Sequence, residues 1–262
     1  MVQSPGGSRL AGLTNSCIWL VILRVPSDGK LALERGIVAL TVLDRPLYSY
    51  AEAARLLRVS SQTLRRWLDG ASRAGVEYPP VIRPEPTGSE TVTWGEFVEA
   101  GFLRGYRAKR VPLQKMRPFI TKARERSGAP YPLAHFKPLI NNQRIVYDLQ
   151  QEAGLDPKLY LVNAEDDQML WAEPVSEFLE TVEFDPNSDV VARVFPAGLK
   201  TPVVIDPEVS FGIPQIKGVR TELVAESVAA GESKEEAAQS WGLGLGEIEA
   251  ALEWERSIAK AA

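Results

Sequence analysis

Apolar and polar residues between Ser49 and Gly70 alternate with helical spacing and predict two short helices joined by a tight turn. Ser49 and Glu52 have the spacing of a capping box, which starts the first helix, and Ser60 is the natural cap of the second. The positions expected to be buried are Ala53, Leu56, Leu57, Leu64, Trp67 and Leu68. This arrangement is typical of a helix-turn-helix.

The opposite face of the second helix has the chemistry of a recognition helix. It carries Ser61, Gln62, Arg65 and Arg66, with the short polar side chains at the N-terminal end and the arginines behind them. Arginine binds guanine edges at two points or pairs with phosphate. We therefore predict that these four residues contact DNA. The alternative is a helical hairpin in an ordinary core whose basic face is only solvated.

Two β-prone runs follow the helix pair and predict a hairpin. Residues 78–84 and 91–94 are separated by the turn residues Thr87, Gly88 and Ser89. After a helix-turn-helix, such a hairpin is most simply a wing that lies beside the recognition helix and touches the DNA backbone. Arg83 is accordingly expected to contact phosphate.

Two further helices are expected, one over residues 95–108 and one opening at Val111, with Pro112 in its first turn. Met116, Phe119 and Ile120 are expected to face the core. The basic end of the first of these helices carries Arg104, Arg107, Lys109 and Arg110. These four side chains either clamp the DNA backbone or form a solvated face, and the sequence leaves both possibilities open.

Residues 129–201 change character and predict a small antiparallel β region. Strands are expected at 144–149, 158–162 and 190–195 and in the C-terminal half of 178–184, with turns between them. This region would link the two ends of the chain.

The last segment, residues 202–262, predicts three helices at about 221–229, 234–241 and 246–258. Their outline is again that of a helix-turn-helix, but the third helix carries Glu247, Glu249, Glu253 and Glu255, which phosphates would repel. Its apolar face is better suited to a core or a protein interface. The predicted fold is therefore α+β: an N-terminal winged helix-turn-helix over 41–128, the middle β region, and this helical domain. Residues 1–40 are expected to be an extension that is disordered or not native.

Charge is distributed unevenly along the chain. Residues 45–126 carry 16 Lys and Arg against 8 Asp and Glu, whereas residues 127–200 carry 5 against 12 and residues 201–262 carry 5 against 11. A basic front and an acidic rear indicate that one part meets a polyanion and another does not.

The composition argues against an enzyme. Cys17 is the only cysteine, which excludes an intramolecular disulfide and a thiolate cluster, and His135 is the only histidine. Nothing near His135 resembles a nucleophile motif, so we expect no catalytic residue, no metal site and no cofactor. The apolar run 17–23 is too short to span a bilayer, which needs about 20 residues. A cytoplasmic protein without a membrane partner is expected.

Residues 46–126 resemble the winged helix-turn-helix of MerR-type regulators. The likeness is carried by Leu64-Arg65-Arg66-Trp67 after Val59-Ser60, by the predicted wing and by the helix opening at Val111. The chain departs from those regulators afterwards, because Gly128-Ala129-Pro130-Tyr131-Pro132 interrupts the long dimerisation helix that they possess. The operator-untwisting mechanism of that family is therefore not implied.

Residues 202–256 resemble a small domain found in many bacterial antitoxins. The likeness rests on Val204-Ile205-Asp206-Pro207, on the Gly-rich stretch from Gly212 to Thr221 and on Ala230-Gly231-Glu232-Ser233. Combined with a MerR-like DNA-binding half, it resembles the larger VapB-type antitoxins of toxin–antitoxin (VapBC) modules.

That resemblance implies an antitoxin that neutralises a PIN-domain ribonuclease toxin and autoregulates its operon, as a repressor, by binding operator double-stranded DNA. A homodimer is expected because one short recognition helix contacts few base pairs and pairing doubles the site. PIN active sites are carboxylate clusters around Mg²⁺, so Lys217 and Arg220 are the residues expected to compete for them. Arg220 bracing the loop through backbone carbonyls is the alternative. A stand-alone MerR-like regulator, with a middle domain that senses a small molecule, is the alternative for the whole protein.

Overall fold

The helix-turn-helix is present in the computed structural model, which describes residues 41–108, 110–135, 143–154, 162–165, 168–171 and 178–260. Its helices are α1 (Tyr50–Leu57) and α2 (Ser61–Asp69). The Ser49 hydroxyl accepts a hydrogen bond from the Glu52 amide, and the Ser49 amide donates back to the Glu52 carboxylate at 2.8 Å. The predicted capping box is therefore confirmed, and the local pattern is enough to start α1.

Four short strands surround these helices, and they pair differently from the prediction. The strands are β1 (Pro46–Ser49), β2 (Ala71–Arg73), β3 (Val76–Tyr78) and β4 (Thr91–Thr93). β1 pairs antiparallel with β4, and β2 pairs antiparallel with β3. The predicted pairing of 78–84 with 91–94 is wrong. Proline stands at positions 79, 80 and 84, and a proline cannot donate to a strand ladder.

Two longer helices complete the front half, α3 (Trp94–Ala108) and α4 (Leu113–Ser127). They bury the largest side chains of the core, among them Trp94, Phe102, Leu103, Tyr106, Met116, Phe119 and Ile120. The predicted inward positions of α4 are thereby confirmed. The Trp94 indole also donates to the Val191 carbonyl at 2.8 Å, which joins this core to a later part of the chain.

The middle region contains one helix and two hairpins among the described residues. They are α5 (Gln143–Glu152), β5 (Val162–Glu165) paired with β6 (Gln168–Trp171), and β7 (Val182–Phe184) paired with β8 (Val191–Val194). The strand predicted at 144–149 is wrong, because it lies inside α5. Ile145 and Val146 favour a strand, but the Gln- and Leu-containing stretch that follows favours a helix, and α5 buries Leu149.

The helical C-terminal segment follows the sequence prediction closely. A small hairpin of β9 (Gln215–Ile216) and β10 (Val219–Arg220) precedes α6 (Thr221–Ala229), α7 (Lys234–Trp241) and α8 (Leu245–Ala259). The buried residues of α8 are Ile248, Ala251, Trp254 and Ile258. A bridge between Val194 and Ile205 connects this segment to the middle hairpin, and a bridge between Val204 and Gln215 joins its first residues to β9.

Several predictions fall on residues that the structure does not describe. These are the extension over 1–40, the role of Lys109, and residues 158–161 of one predicted strand. Within the described ranges, no helix is both long enough and apolar enough to cross a membrane.

Candidate nucleic-acid interface

The outer face of α2 is solvent-exposed where the sequence places the recognition residues. Ser61, Gln62, Arg65 and Arg66 are all exposed, whereas Leu64, Trp67 and Leu68 are buried. The Ser60 hydroxyl accepts from the Thr63 amide at 3.1 Å and caps the helix. The predicted four residues therefore share one polar surface on a helix that is fixed to the core by its other side.

A hairpin lies directly after this helix, earlier in the chain than predicted. β2 and β3 are joined by Ala74 and Gly75, which both have positive φ, as two-residue hairpin turns of the primed type require. Gly70 precedes the hairpin at φ 79°, and a Cβ there would meet the Tyr78 carbonyl oxygen. Arg73, Val76 and Tyr78 project from the hairpin into solvent. Arg73 is thus the arginine of the hairpin beside α2, a position that the sequence predicts for Arg83. Gly75, two residues after Arg73, is the signal that could have located the turn.

Arg83 is not on the surface, and the expectation that it contacts phosphate is corrected. Its side chain is 4% exposed and forms ion pairs of 2.6 Å with both Asp69 and Glu96. It also donates to the Tyr50 hydroxyl at 3.1 Å and to the Thr91 carbonyl at 3.0 Å. Arg83 therefore joins α2 to α3 inside the domain. Its two carboxylate partners lie 14 residues before it and 13 residues after it, on separate helices, so no helical or strand periodicity predicts the pairing.

Asp69 and Arg83 in this buried cluster stay ionised because each stabilises the charge of the other. Burial works to raise the pKa of Asp69, but hydrogen bonds from Tyr50 and Arg83 and the charge of Arg83 outweigh burial and lower it. Burial would lower the pKa of Arg83, yet Glu96 and Asp69 raise it. Burial and the hydrogen bond to Asp69 raise the pKa of the Tyr50 hydroxyl, which stays protonated. Asp69 is therefore a charged carboxylate held in place at the C-terminal end of α2.

A groove of about 500 Å³ lies between α2, the β2–β3 hairpin and the first turns of α4. Among the described residues, its lining includes three arginines and no carboxylate: Arg66, Arg73 and Arg117, together with Tyr78, Pro79 and Leu113 among others. Arg117 donates to the carbonyls of Pro80 and Pro79 at 2.8 and 2.5 Å and is the least free of the three. The groove extends the positive surface of α2 toward α4.

The basic end of α3 is also at the surface. Arg104, Arg107 and Arg110 are exposed. Arg104 donates to the Leu57 carbonyl at 3.1 Å and Arg107 to the Val111 carbonyl at 2.6 Å. These bonds place Arg104 at the C-terminal end of α1, beside the helix-turn-helix. A backbone-clamping role for these arginines stays a prediction.

Helix α8 packs against α1 and engages two of its arginines. Arg58, at the left-handed C-cap of α1, donates to the Ser257 hydroxyl at 2.9 Å and its guanidinium lies 5.5 Å from the Trp254 ring centroid. Arg55 lies 3.8 Å from the Glu255 carboxylate. The acidic helix thus contacts the helix-turn-helix through side chains of α1 and its C-cap.

The two residues predicted to bind a protein partner lie in and beside the β9–β10 turn. Lys217 has a 66% exposed side chain and pairs with Glu247 at 2.9 Å. Arg220 occupies the N-cap position of α6 without a side-chain capping hydrogen bond, and its guanidinium lies 3.6 Å from the Glu222 carboxylate. Both cations are at the surface, each beside one carboxylate of its own segment.

Two parts of the chain match known families. Residues 46–120 match the family described as "Putative DNA-binding HTH domain", and residues 203–254 match a "Protein of unknown function (DUF433)". The first match covers the helix-turn-helix, the hairpin and most of α3 and α4. The front half is therefore a helix-turn-helix domain of the DNA-binding kind, built into an α+β protein.

Longer matches cover most of the chain. It is 32% identical over 219 residues to "Uncharacterized protein Rv2308" of Mycobacterium tuberculosis, which spans 82% of this chain and 92% of that protein. It is 29% identical over 226 residues to "Putative antitoxin VapB45" of the same organism, and this match spans 80% of this chain and 94% of that protein. The crystal structure of Rv2018 from Mycobacterium tuberculosis superposes with a TM-score of 0.66 at 26% identity, over 81% of this chain and 100% of that one.

Proposed function

The chain belongs to the same family as the uncharacterized protein Rv2308 of Mycobacterium tuberculosis, and from that premise we propose that it is a DNA-binding antitoxin. In this proposal it binds operator DNA, represses its own operon in the cytoplasm, and neutralises a VapC-like toxin with a PIN-domain ribonuclease fold. The proposal assigns no catalytic step to this chain. Its support comes from the helix-turn-helix, from the C-terminal domain, and from a relative named as an antitoxin.

The observation that best supports DNA binding is the outer face of α2. Four polar or basic side chains project from a capped helix whose opposite face is buried, and the groove beside it adds further arginines. A helix of this kind presents its N-terminal residues to base edges in the major groove while arginines behind them reach bases or phosphate. One short helix contacts few base pairs, so we propose that a homodimer binds two half-sites.

Replacing both Arg65 and Arg66 with Ala is expected to weaken operator binding about 100-fold, because each removes a charge-assisted contact to base or phosphate. The slope of log K against log salt concentration should become shallower by between about one and two units. The measurement is a titration of the duplex upstream of the gene by fluorescence anisotropy at several salt concentrations.

The matched control for this double variant is Lys122→Ala with Arg126→Ala. It also removes two positive charges, but from α4, where both side chains pair with Glu152 of α5. We expect less than a three-fold loss for the control. Equal losses in the two variants would contradict α2 as the reading surface.

The proposal that the chain binds a toxin is based on the C-terminal domain. Lys217 and Arg220 stand at and beside a tight turn and each already neighbours a carboxylate, Glu247 and Glu222. Such surface ion pairs are weak, so a stronger cluster of carboxylates on a partner can take over the cations. A PIN active site offers a cluster of that kind.

Co-expression with the product of the adjacent gene tests this half. We expect a tagged wild-type chain to co-purify with a PIN-domain protein, and Lys217→Ala with Arg220→Ala to reduce the captured amount at least ten-fold. The matched control is Lys234→Ala with Arg256→Ala, which removes two cations from the same domain, one of them paired with Glu249 at 2.7 Å. If wild type captures no PIN-domain protein, the antitoxin proposal fails. If the two double variants behave alike, the assignment of Lys217 and Arg220 fails.

A further inference from the structure

Arg65, on the recognition face, lies over the ring of Tyr50. The carbon at the centre of the guanidinium is 4.4 Å from the ring centroid, within the range in which a cation is attracted to the face of an aromatic ring. Tyr50 is the first residue of α1 and is 5% exposed, whereas half of the Arg65 side chain is exposed. A buried ring of one helix therefore supports an exposed arginine of the next.

The ring of Tyr50 cannot be displaced from its place under Arg65 without breaking the hydrogen bonds of its hydroxyl. The Tyr50 hydroxyl donates to the Asp69 carboxylate at 2.5 Å and accepts from Arg83 at 3.1 Å. Arg83 is in turn held by Glu96 of α3 through two hydrogen bonds of 2.6 and 3.1 Å. A continuous chain of contacts thus runs from the core of the domain to the underside of Arg65.

Arg66 offers a contrast on the same helix. Among the residues that the structure describes, its guanidinium contacts neither an aromatic ring nor a carboxylate, and it lines the arginine-rich groove. Arginine carries one of the largest rotamer entropies of any side chain. Arg66 would lose this freedom on binding DNA, whereas much of it is already lost for Arg65 in the folded protein.

Glu90 also approaches Arg65, at 3.5 Å between carboxylate and guanidinium. Its side chain is 81% exposed, and an ion pair in that position is weak and screened by salt. A phosphate or a base edge would displace it. The ring of Tyr50 lies on the core side of Arg65, so it does not have to move when DNA binds to the exposed side.

We propose that Tyr50 is a positioning residue for base recognition: its buried ring holds Arg65 in the orientation in which the guanidinium reads one base pair. This inference rests on the proposed DNA-binding function and deepens it. A bidentate arginine–guanine contact needs both hydrogen bonds in one plane, so a pre-oriented guanidinium discriminates between bases at a smaller entropic cost. Arg66 then contributes affinity that is largely independent of sequence.

Two variants at position 50 separate the ring from its hydroxyl. Tyr50→Phe and Tyr50→Leu both lose the bonds to Asp69 and Arg83, but only Tyr50→Leu loses the ring under Arg65. Binding is measured to the operator duplex and to duplexes in which each base pair is changed singly. The base pair read by Arg65 is the one at which Arg65→Ala removes discrimination.

At that base pair we expect wild type, Tyr50→Phe and the control Glu90→Gln to discriminate roughly 10- to 100-fold. Tyr50→Leu should discriminate less than about three-fold there, with its salt dependence unchanged because no charge is removed. Undiminished discrimination in Tyr50→Leu, beside a clear loss in Arg65→Ala, overturns the role of Tyr50 alone. If Arg65→Ala keeps full discrimination everywhere, Arg65 reads no base, and the inference falls together with the proposed reading surface.

A second measurement does not depend on Tyr50→Leu folding. In the free wild-type protein, the side-chain methylene protons of Arg65 should be shifted upfield by the ring current of Tyr50, and the shift should persist in Tyr50→Phe. Those of Arg66 should have ordinary shifts. Ordinary shifts at Arg65 would show that the ring does not hold it and would overturn the inference.

Discussion

Replacing Arg83 with Met is expected to lower the free energy of unfolding by about 3–5 kcal/mol, because it leaves two carboxylates without their cation in the interior. The side chains of Asp69 and Glu96 are 16% and 8% exposed. The Tyr50 hydroxyl and the Thr91 carbonyl would also each lose a donor. Urea unfolding followed by circular dichroism measures the change.

Two further variants separate the buried charge effect from the loss of arginine itself. Arg83→Met combined with Glu96→Gln should recover part of the stability, since it removes one of the two stranded charges and retains an acceptor for the Thr93 amide. Arg65→Met breaks an exposed pair with Glu90 and the contact with the Tyr50 ring, and should cost no more than about 1–2 kcal/mol. If Arg83→Met costs no more than Arg65→Met, the buried network does not stabilise the domain.

The free energy of unfolding of the wild-type protein is expected to fall as the pH rises from about 4.5 to 8, and replacing Glu99 with Gln is expected to abolish this fall. Glu99 is fully buried in α3 and accepts from the Leu133 amide at 3.0 Å, and its second carboxylate oxygen has no partner among the described residues. Burial raises the pKa of this carboxyl to about 8, against the opposing influence of the Leu133 N–H and the charge of Arg124. In the folded protein, Glu99 is therefore protonated at neutral pH.

The direction of the pH effect follows from proton uptake. Between pH 4.5 and 8 the unfolded chain has released the Glu99 proton and the folded chain has kept it, so raising the pH favours unfolding. The contribution of Glu99 to the free energy of unfolding is fully present below pH 4.5. It is lost at up to about 1.4 kcal/mol per pH unit, or on the order of 4 kcal/mol in all by pH 8.

Urea midpoints at half-unit pH intervals test this expectation, with the exposed Glu125→Gln as the matched control. The difference in stability between Glu99→Gln and wild type should increase in favour of the variant up to pH 8 and then stay level. Glu125→Gln should show no such trend. A difference that is independent of pH would mean that Glu99 titrates normally in the folded protein.

Parts of the candidate site were predictable because their signals are local. The Ser49–Glu52 capping box, the helical spacing of Leu64, Trp67 and Leu68, and the exposed arginines of α2 all depend on residues within one or two turns of each other. The wing was misplaced because strand pairing is a competition between distant segments. β4 has β-prone residues that fit any partner, and β1, more than forty residues away, is the one that it meets.

Arg83 shows why residue type alone misleads at such a site. An arginine after a helix-turn-helix is reasonably assigned to phosphate, and only the folded chain brings Asp69 and Glu96 to either side of it. α5 was missed for a related reason. The β-branched residues near its start favour a strand, and helical packing of the segment, which buries Leu149, overrode that preference.

The sequence by itself determined the helix-turn-helix, the three C-terminal helices and the basic front with its acidic rear, since capping, periodicity and charge are properties of short segments. Only the tertiary structure decided which hairpin stands beside α2, that Arg83 is internal, and that the ring of Tyr50 supports Arg65. The last two outcomes depend on contacts between side chains of different elements, where burial and pairing, rather than local preference, set the free energy. The first depends on β4 pairing with β1, which leaves the local turn at Ala74 and Gly75 to form the hairpin after α2.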